Sequence, residues 1–113
     1  MSLAIRAMFD PIRSADWSHI TGTYYGLGTA IDHPARNIWL FNYTDKTLFF
    51  SFNGYDDNVI LPPQGYWFWD ITSNKTVMQG FFLAEGARLY VRSFAANPTS
   101  GGAYATVIWG ADL

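Results

Sequence analysis

Turn-forming residues recur along this chain at intervals of roughly ten residues, and the runs between them are rich in β-branched and aromatic side chains. The runs read "LAIRAMF" (3–9), "TYYGLGTAI" (23–31), "RNIWLFNYT" (36–44), "TLFFSFN" (47–53), "VILP" (59–62), "YWFWDIT" (66–72), "GFFLAEG" (80–86), "ARLYVRSF" (87–94) and "AYATVIWG" (103–110). Eight or nine short strands at this spacing predict an all-β protein, a two-sheet β-sandwich of jelly-roll type. With 113 residues there is room for one core. Helix signals are poor throughout. The best candidate is a turn or two around Ile12–Ile20, capped by Ser14 or Asp16.

Within the strands, side chains alternate between faces. Ile38 and Leu40 therefore oppose Trp39 and Phe41, and Tyr66 and Phe68 oppose Trp67 and Trp69. One pair of each set faces the core. The segments 36–44 and 47–53 are expected to form a hairpin about "TDK". "NGYDDN" (53–58) is the strongest turn signal, since Asn-Gly suits positive φ. Gly26 and Gly28 mark a bulge or a close backbone approach. Residues 1–22 precede the regular spacing and are expected as an extended N-terminal arm, with the sandwich domain at 23–113. Asp10-Pro11 breaks that arm and lets it change direction.

The chain is 19% aromatic and only 14% charged, with nine Phe, seven Tyr and five Trp. A small domain cannot hide that many rings in its own core. Lys46 and Lys75 are the only lysines and Glu85 the only glutamate, whereas five of the seven cations are Arg. Interface cores exclude Lys and Glu and favour aromatics and Arg. The expected contact residues are Trp17, Arg36, Trp39, Trp67, Trp69 and Arg92, because Trp and Arg dominate interface energetics. An exposed aromatic platform for sugar rings is the competing use of the same residues.

Net charge is −2 without a basic block, so the electrostatic footprint of a nucleic-acid binder is missing. No run of 18 apolar residues is present to span a membrane, and Arg6, Asp10 and Arg13 interrupt any secretory leader. Without cysteine there are neither disulfides nor thiolate metal sites. His19 and His33 lack metal-ligand spacing, and no serine sits in a nucleophile elbow. Asp56 and Asp57 could offer oxygens to Ca²⁺, but no terminal glutamate follows, and turn chemistry explains them better. Asp70 is expected to bind the backbone amides that follow it. The expectation is a non-enzymatic protein without metal or cofactor.

The string "HPARNIWLFNYTDKTLFFSFNGYDDNVILPPQGYWFWDITSN", continued by "GARLYVRSFAANPTSGGAYATVIWG", resembles small virion structural proteins of tailed bacteriophages. The shared pattern falls on Ala35-Arg36, Asn42–Asp45, Ser51–Gly54, Leu61-Pro62, Asp70–Asn74, Gly86–Val91, Ser100-Gly101 and Tyr104–Gly110. It covers about three quarters of the chain and rests on turn residues and strand spacing. Asn53 departs from the aspartate of the pattern. The resemblance implies a virion protein, made in the host cytoplasm, with no catalytic residues. Head decoration (cement) proteins come first: these are jelly rolls that sit as trimers on the capsid, so the major capsid protein and further copies of the chain are the implied partners. Head–tail adaptor, collar, and tail or baseplate proteins come next. A carbohydrate- or receptor-binding β-sandwich module is the remaining alternative.

Overall fold

A computed structural model describes residues 5–33, 35–70 and 86–112. They form β1 (Ile5–Phe9), β2 (Arg13–Asp16), a 3-10 turn (Trp17–His19), β3 (Tyr25–Gly26), β4 (Ala35–Asn42), β5 (Leu48–Ser51), β6 (Val59–Leu61), β7 (Tyr66–Asp70), β8 (Tyr90–Ser93) and β9 (Gly102–Asp112). No α-helix occurs among the described residues. The run expected at 80–86 lies outside them except for Gly86.

Two antiparallel sheets share one core, an arrangement compatible with a β-sandwich. The first sheet has the order β1/β2, β9, β4, β7; the second has β3, β8, β5, β6. The pairings nest: β5 pairs β6, β4 pairs β7, β3 pairs β8 and β2 pairs β9. Three further pairings, β4 with β9, β5 with β8 and β1 with β9, complete the sheets.

The two sheets bury Ile38, Leu40, Leu48, Phe50, Leu61, Leu89, Val91 and Val107 against one another, with Leu27 and Ile31 from the loop after β3. On β9 the inward positions are Ala103, Ala105 and Val107, small enough for larger side chains to pack opposite. Trp67, Trp69 and Phe52 pack on this core as one ring cluster, with centroids 5.6–6.4 Å apart.

The N-terminal segment lies along a sheet. β1 pairs with residues 108–112 of β9 and β2 with residues 102–105, on the same edge. Asp10 carries the ladder across the gap, its N–H donating to Val107 O at 3.0 Å. The alternating burial of β2 places Arg13 and Ala15 inward. The helical expectation at Ile12–Ile20 reduces to the single 3-10 turn. Asp16 caps it by accepting from Ser18 N–H at 3.1 Å.

The expected hairpin of 36–44 with 47–53 does not form. β4 belongs to one sheet and β5 to the other, and β5 pairs instead with β6 through "NGYDDN". The corner is held by Asn42, which is fully buried and bonds both its own turn and the end of β6. In the "NGYDDN" turn, Gly54 has φ +80°, and Asn53 Oδ1 accepts the N–H groups of Tyr55 and Asp56 at 2.8 and 3.0 Å. The close approach expected at Gly26 is real: the Arg88 guanidinium occupies the space a Cβ would take.

Candidate interaction face

β4 sits between β7 and β9, so its outward side chains have neighbours on both sides. Trp39 lies opposite Phe68 and Thr106; Phe41 lies opposite Tyr66 and Tyr104. Outward residues two apart on one strand adjoin the same cross-strand rows. The result is a continuous aromatic face. Trp39 packs on Phe41, Tyr66 and Phe68 at centroid distances of 5.4, 6.4 and 5.1 Å. Phe41 continues to Tyr43 at 5.6 Å and Tyr66 at 6.1 Å, and Tyr43 reaches Tyr104 at 5.7 Å.

Six rings thus line one side of the first sheet. Trp39 is 37% exposed, Phe68 47%, Tyr43 48% and Tyr66 64%, while Phe41 and Tyr104 are half-buried. None of the six is an Asp, Glu, Lys, Arg or His. The next row toward one end is Asp70, Asn37 and Ile108.

The structure places the expected contact residues in different settings. Trp39 lies at the centre of the face. Arg36 is half-buried at the start of β4, as the extra residue of a bulge between Ala35 and Asn37. Trp67 and Trp69 need correction: the structure turns them toward the core, and Tyr66 and Phe68 are the exposed pair. The cause is register, since Trp69 pairs with inward Ile38 and Trp67 with inward Leu40. Trp17 is 39% exposed on the 3-10 turn, where its backbone N–H donates to Gly101 O at 3.1 Å.

Arg92 projects from the other sheet. Its Nε donates to Asp57 Oδ1 at 2.9 Å, and the pair is closed by a second contact to Oδ2. The guanidinium lies over Phe49 at 4.7 Å and Tyr24 at 5.5 Å, and the Tyr24 hydroxyl also bonds Asp57. The Arg92 bond lowers the Asp57 carboxyl below its ordinary value, and Asp57 in turn raises Arg92. Burial, then the bond to Asp57, raises the Tyr24 hydroxyl. Two of the six expected residues therefore serve local structure on opposite sheets: Arg36 in a bulge and Arg92 in an ion pair.

The histidines stack on rings, His19 on Tyr25 at 5.2 Å and His33 on Trp109 at 3.6 Å. The described residues hold no group of three potential metal ligands. An open pocket of about 490 Å³ borders β2, lined by Asp10, Arg13, Ser14, Thr29 and Asp32 among others. Its buried cation, Arg13, pairs with Asp10 at 3.2 Å. The amides that Asp70 was expected to bind lie outside the described residues.

Phe41, Tyr43, Tyr66, Phe68 and Tyr104 escape the sequence-level choice of contacts. The signal was present as the i, i+2 repeat Trp39-Phe41-Tyr43. Residue type alone hides it, because tryptophan outranks phenylalanine and tyrosine as an interface anchor. Compared with protein-family models, curated proteins and solved structures, the chain matches none.

Proposed function

We propose that this chain is a non-enzymatic virion structural protein of a tailed bacteriophage, a decoration protein that binds the outside of the head and stabilises contacts between coat subunits. The observation that carries the reading is the six-ring face of the first sheet. Open apolar patches of this kind mark interaction surfaces. The scarcity of Lys and Glu fits a chain whose surface other chains cover.

The proposed fold is a jelly roll. Support comes from the nested pairs β5·β6, β4·β7, β3·β8 and β2·β9, which are those of one long antiparallel ribbon. The pairs β4·β9 and β5·β8 are those made when such a ribbon rolls up. Jelly rolls serve in capsids and also in lectins, so the fold leaves the function to the face.

Ring geometry favours a protein cover over a sugar. Trp39 and Phe41 are within 17° of parallel, and Phe41 and Tyr43 within 11°, at 5.4 and 5.6 Å. Near-parallel rings at that separation are offset-stacked. They turn part of their faces toward one another, whereas a sugar ring stacks on an open face.

The test is co-sedimentation with purified, expanded heads of the phage that encodes the chain. The protein is expected to pellet with the heads and to raise the temperature at which they rupture, as a ligand of the assembled state must. Protein that stays in the supernatant, or that labels the neck or tail of intact particles, rules out the decoration role. Neck or tail labelling instead favours an adaptor, collar or baseplate protein.

A further inference from the structure

We propose that the aromatic face of the first sheet is covered by the same face of a second copy of this chain, giving a two-fold pair. This rests on the reading that the face is a protein interface; it names a second copy as what covers the face and leaves head binding to other surfaces of the pair. Three observations carry it.

The first is area. With a whole aromatic side chain taken as about 200 Å² and the observed exposures, the six rings leave on the order of 500 Å² open. A stable interface needs about 800 Å² from each partner. The rings supply more than half of this. Thr106 and Ile108 lie on the same face of β9 and extend it.

The second is self-complementarity. In a two-fold contact each patch meets its own copy. A charged patch repels itself, but six neutral rings do not. Asp70 stands at one end of the face and Tyr43 at the other. A two-fold axis in the contact plane and across the strands sets the Asp70 end of one copy against the Tyr43 end of its mate. Like charges then stay apart.

The third is shape. The face belongs to three adjacent strands, β7, β4 and β9. Sheets stack face to face at about 10 Å through interleaved side chains. The exposed rings are large enough to fill such a layer. A face-to-face contact of this kind closes with two copies, in place of the trimer that the family resemblance implies.

Sedimentation velocity on the recombinant chain over a range of concentrations is the test. The unmodified protein is expected to run as a dimer. Tyr66→Lys and Phe68→Lys, at exposed positions, are expected to weaken the dimer about 30-fold each, the effect of losing an interface anchor. Their circular dichroism should stay unchanged. Ile60→Lys, exposed on the other sheet, is expected to leave the dimer intact. A folded monomer at all concentrations overturns the inference, as does a dimer indifferent to both variants. Co-sedimentation with heads separates the two proposals. A monomer that binds heads through Tyr66 and Phe68 retains the decoration reading and removes the pair. A dimer that ignores heads retains the pair and removes the decoration reading. A monomer whose Trp39-dependent ligand is a glycan removes both.

Discussion

Inside the core, Asn42 Oδ1 accepts both the backbone N–H and the hydroxyl of Thr44, at 2.9 and 2.6 Å. The Nδ2 group of Asn42 donates to Lys46 O and Leu61 O at 2.8 and 2.9 Å, with Pro62 O at 3.1 Å. One side chain thus ties the β4–β5 corner to the end of β6. Asn42→Ala leaves several buried polar groups unpaired, each costing about 1–3 kcal/mol. The expected loss is about 3 kcal/mol or more in a urea titration. A change under about 1 kcal/mol shows that water replaces the amide.

Gly101 is the second pressure point. Its φ is +83°, and a Cβ there would lie 1.8 Å from Tyr43 O. Both the conformation and the space exclude a side chain. Gly101→Ala should cost about 2–4 kcal/mol and displace Tyr43, one of the six exposed rings. Gly22→Ala meets nothing within 4 Å and serves as the neutral control in the same thermal melts.

The two faces of β7 should respond in opposite ways. Trp67 and Trp69 pack on the core, so Trp67→Ala should destabilise by about 3 kcal/mol. Phe68→Ser and Tyr66→Ser, on the open face, should stay within about 1 kcal/mol of the parent in monomeric protein. Equal losses on both faces would contradict the register described for β7.

Acid should weaken the fold from a defined point. The Asp57, Asp45 and Asp16 carboxyls all lie below the ordinary 3.8, chiefly through bonds from Arg92, Thr99 and Ser18 respectively. Groups lowered in the folded state stabilise it above the unfolded value, and that contribution is lost as pH falls through the folded values. The stability these three carboxylates contribute should therefore hold from neutral pH toward 3.8 and decline below it. In denaturant titrations across pH, Asp45→Asn should flatten part of the decline. An unchanged slope would remove Asp45 from the account.

Alternation and turn chemistry are local, so the sequence alone determined the strand-rich class, the Asn53-Gly54 turn and the opposition of Ile38 and Leu40 to Trp39 and Phe41. Local signals do not specify which strand meets which. The segments 36–44 and 47–53 look like a hairpin in sequence, yet their partners are β7, β9, β6 and β8. The buried amide of Asn42 sends the chain from one sheet to the other. The N-terminal arm reads as separate because it precedes the regular strand spacing, whereas β9 is long enough to pair with both β1 and β2. The tertiary structure also decided the "YWFW" stretch. Side-chain period alone leaves two equivalent assignments, and a one-residue slip exchanges them. Pairing of Trp67 with Leu40 and Trp69 with Ile38 sends both tryptophans inward and leaves Tyr66 and Phe68 beside Trp39. The tryptophans most conspicuous in the sequence pack, partly buried, against the core, and register made the open face from their neighbours.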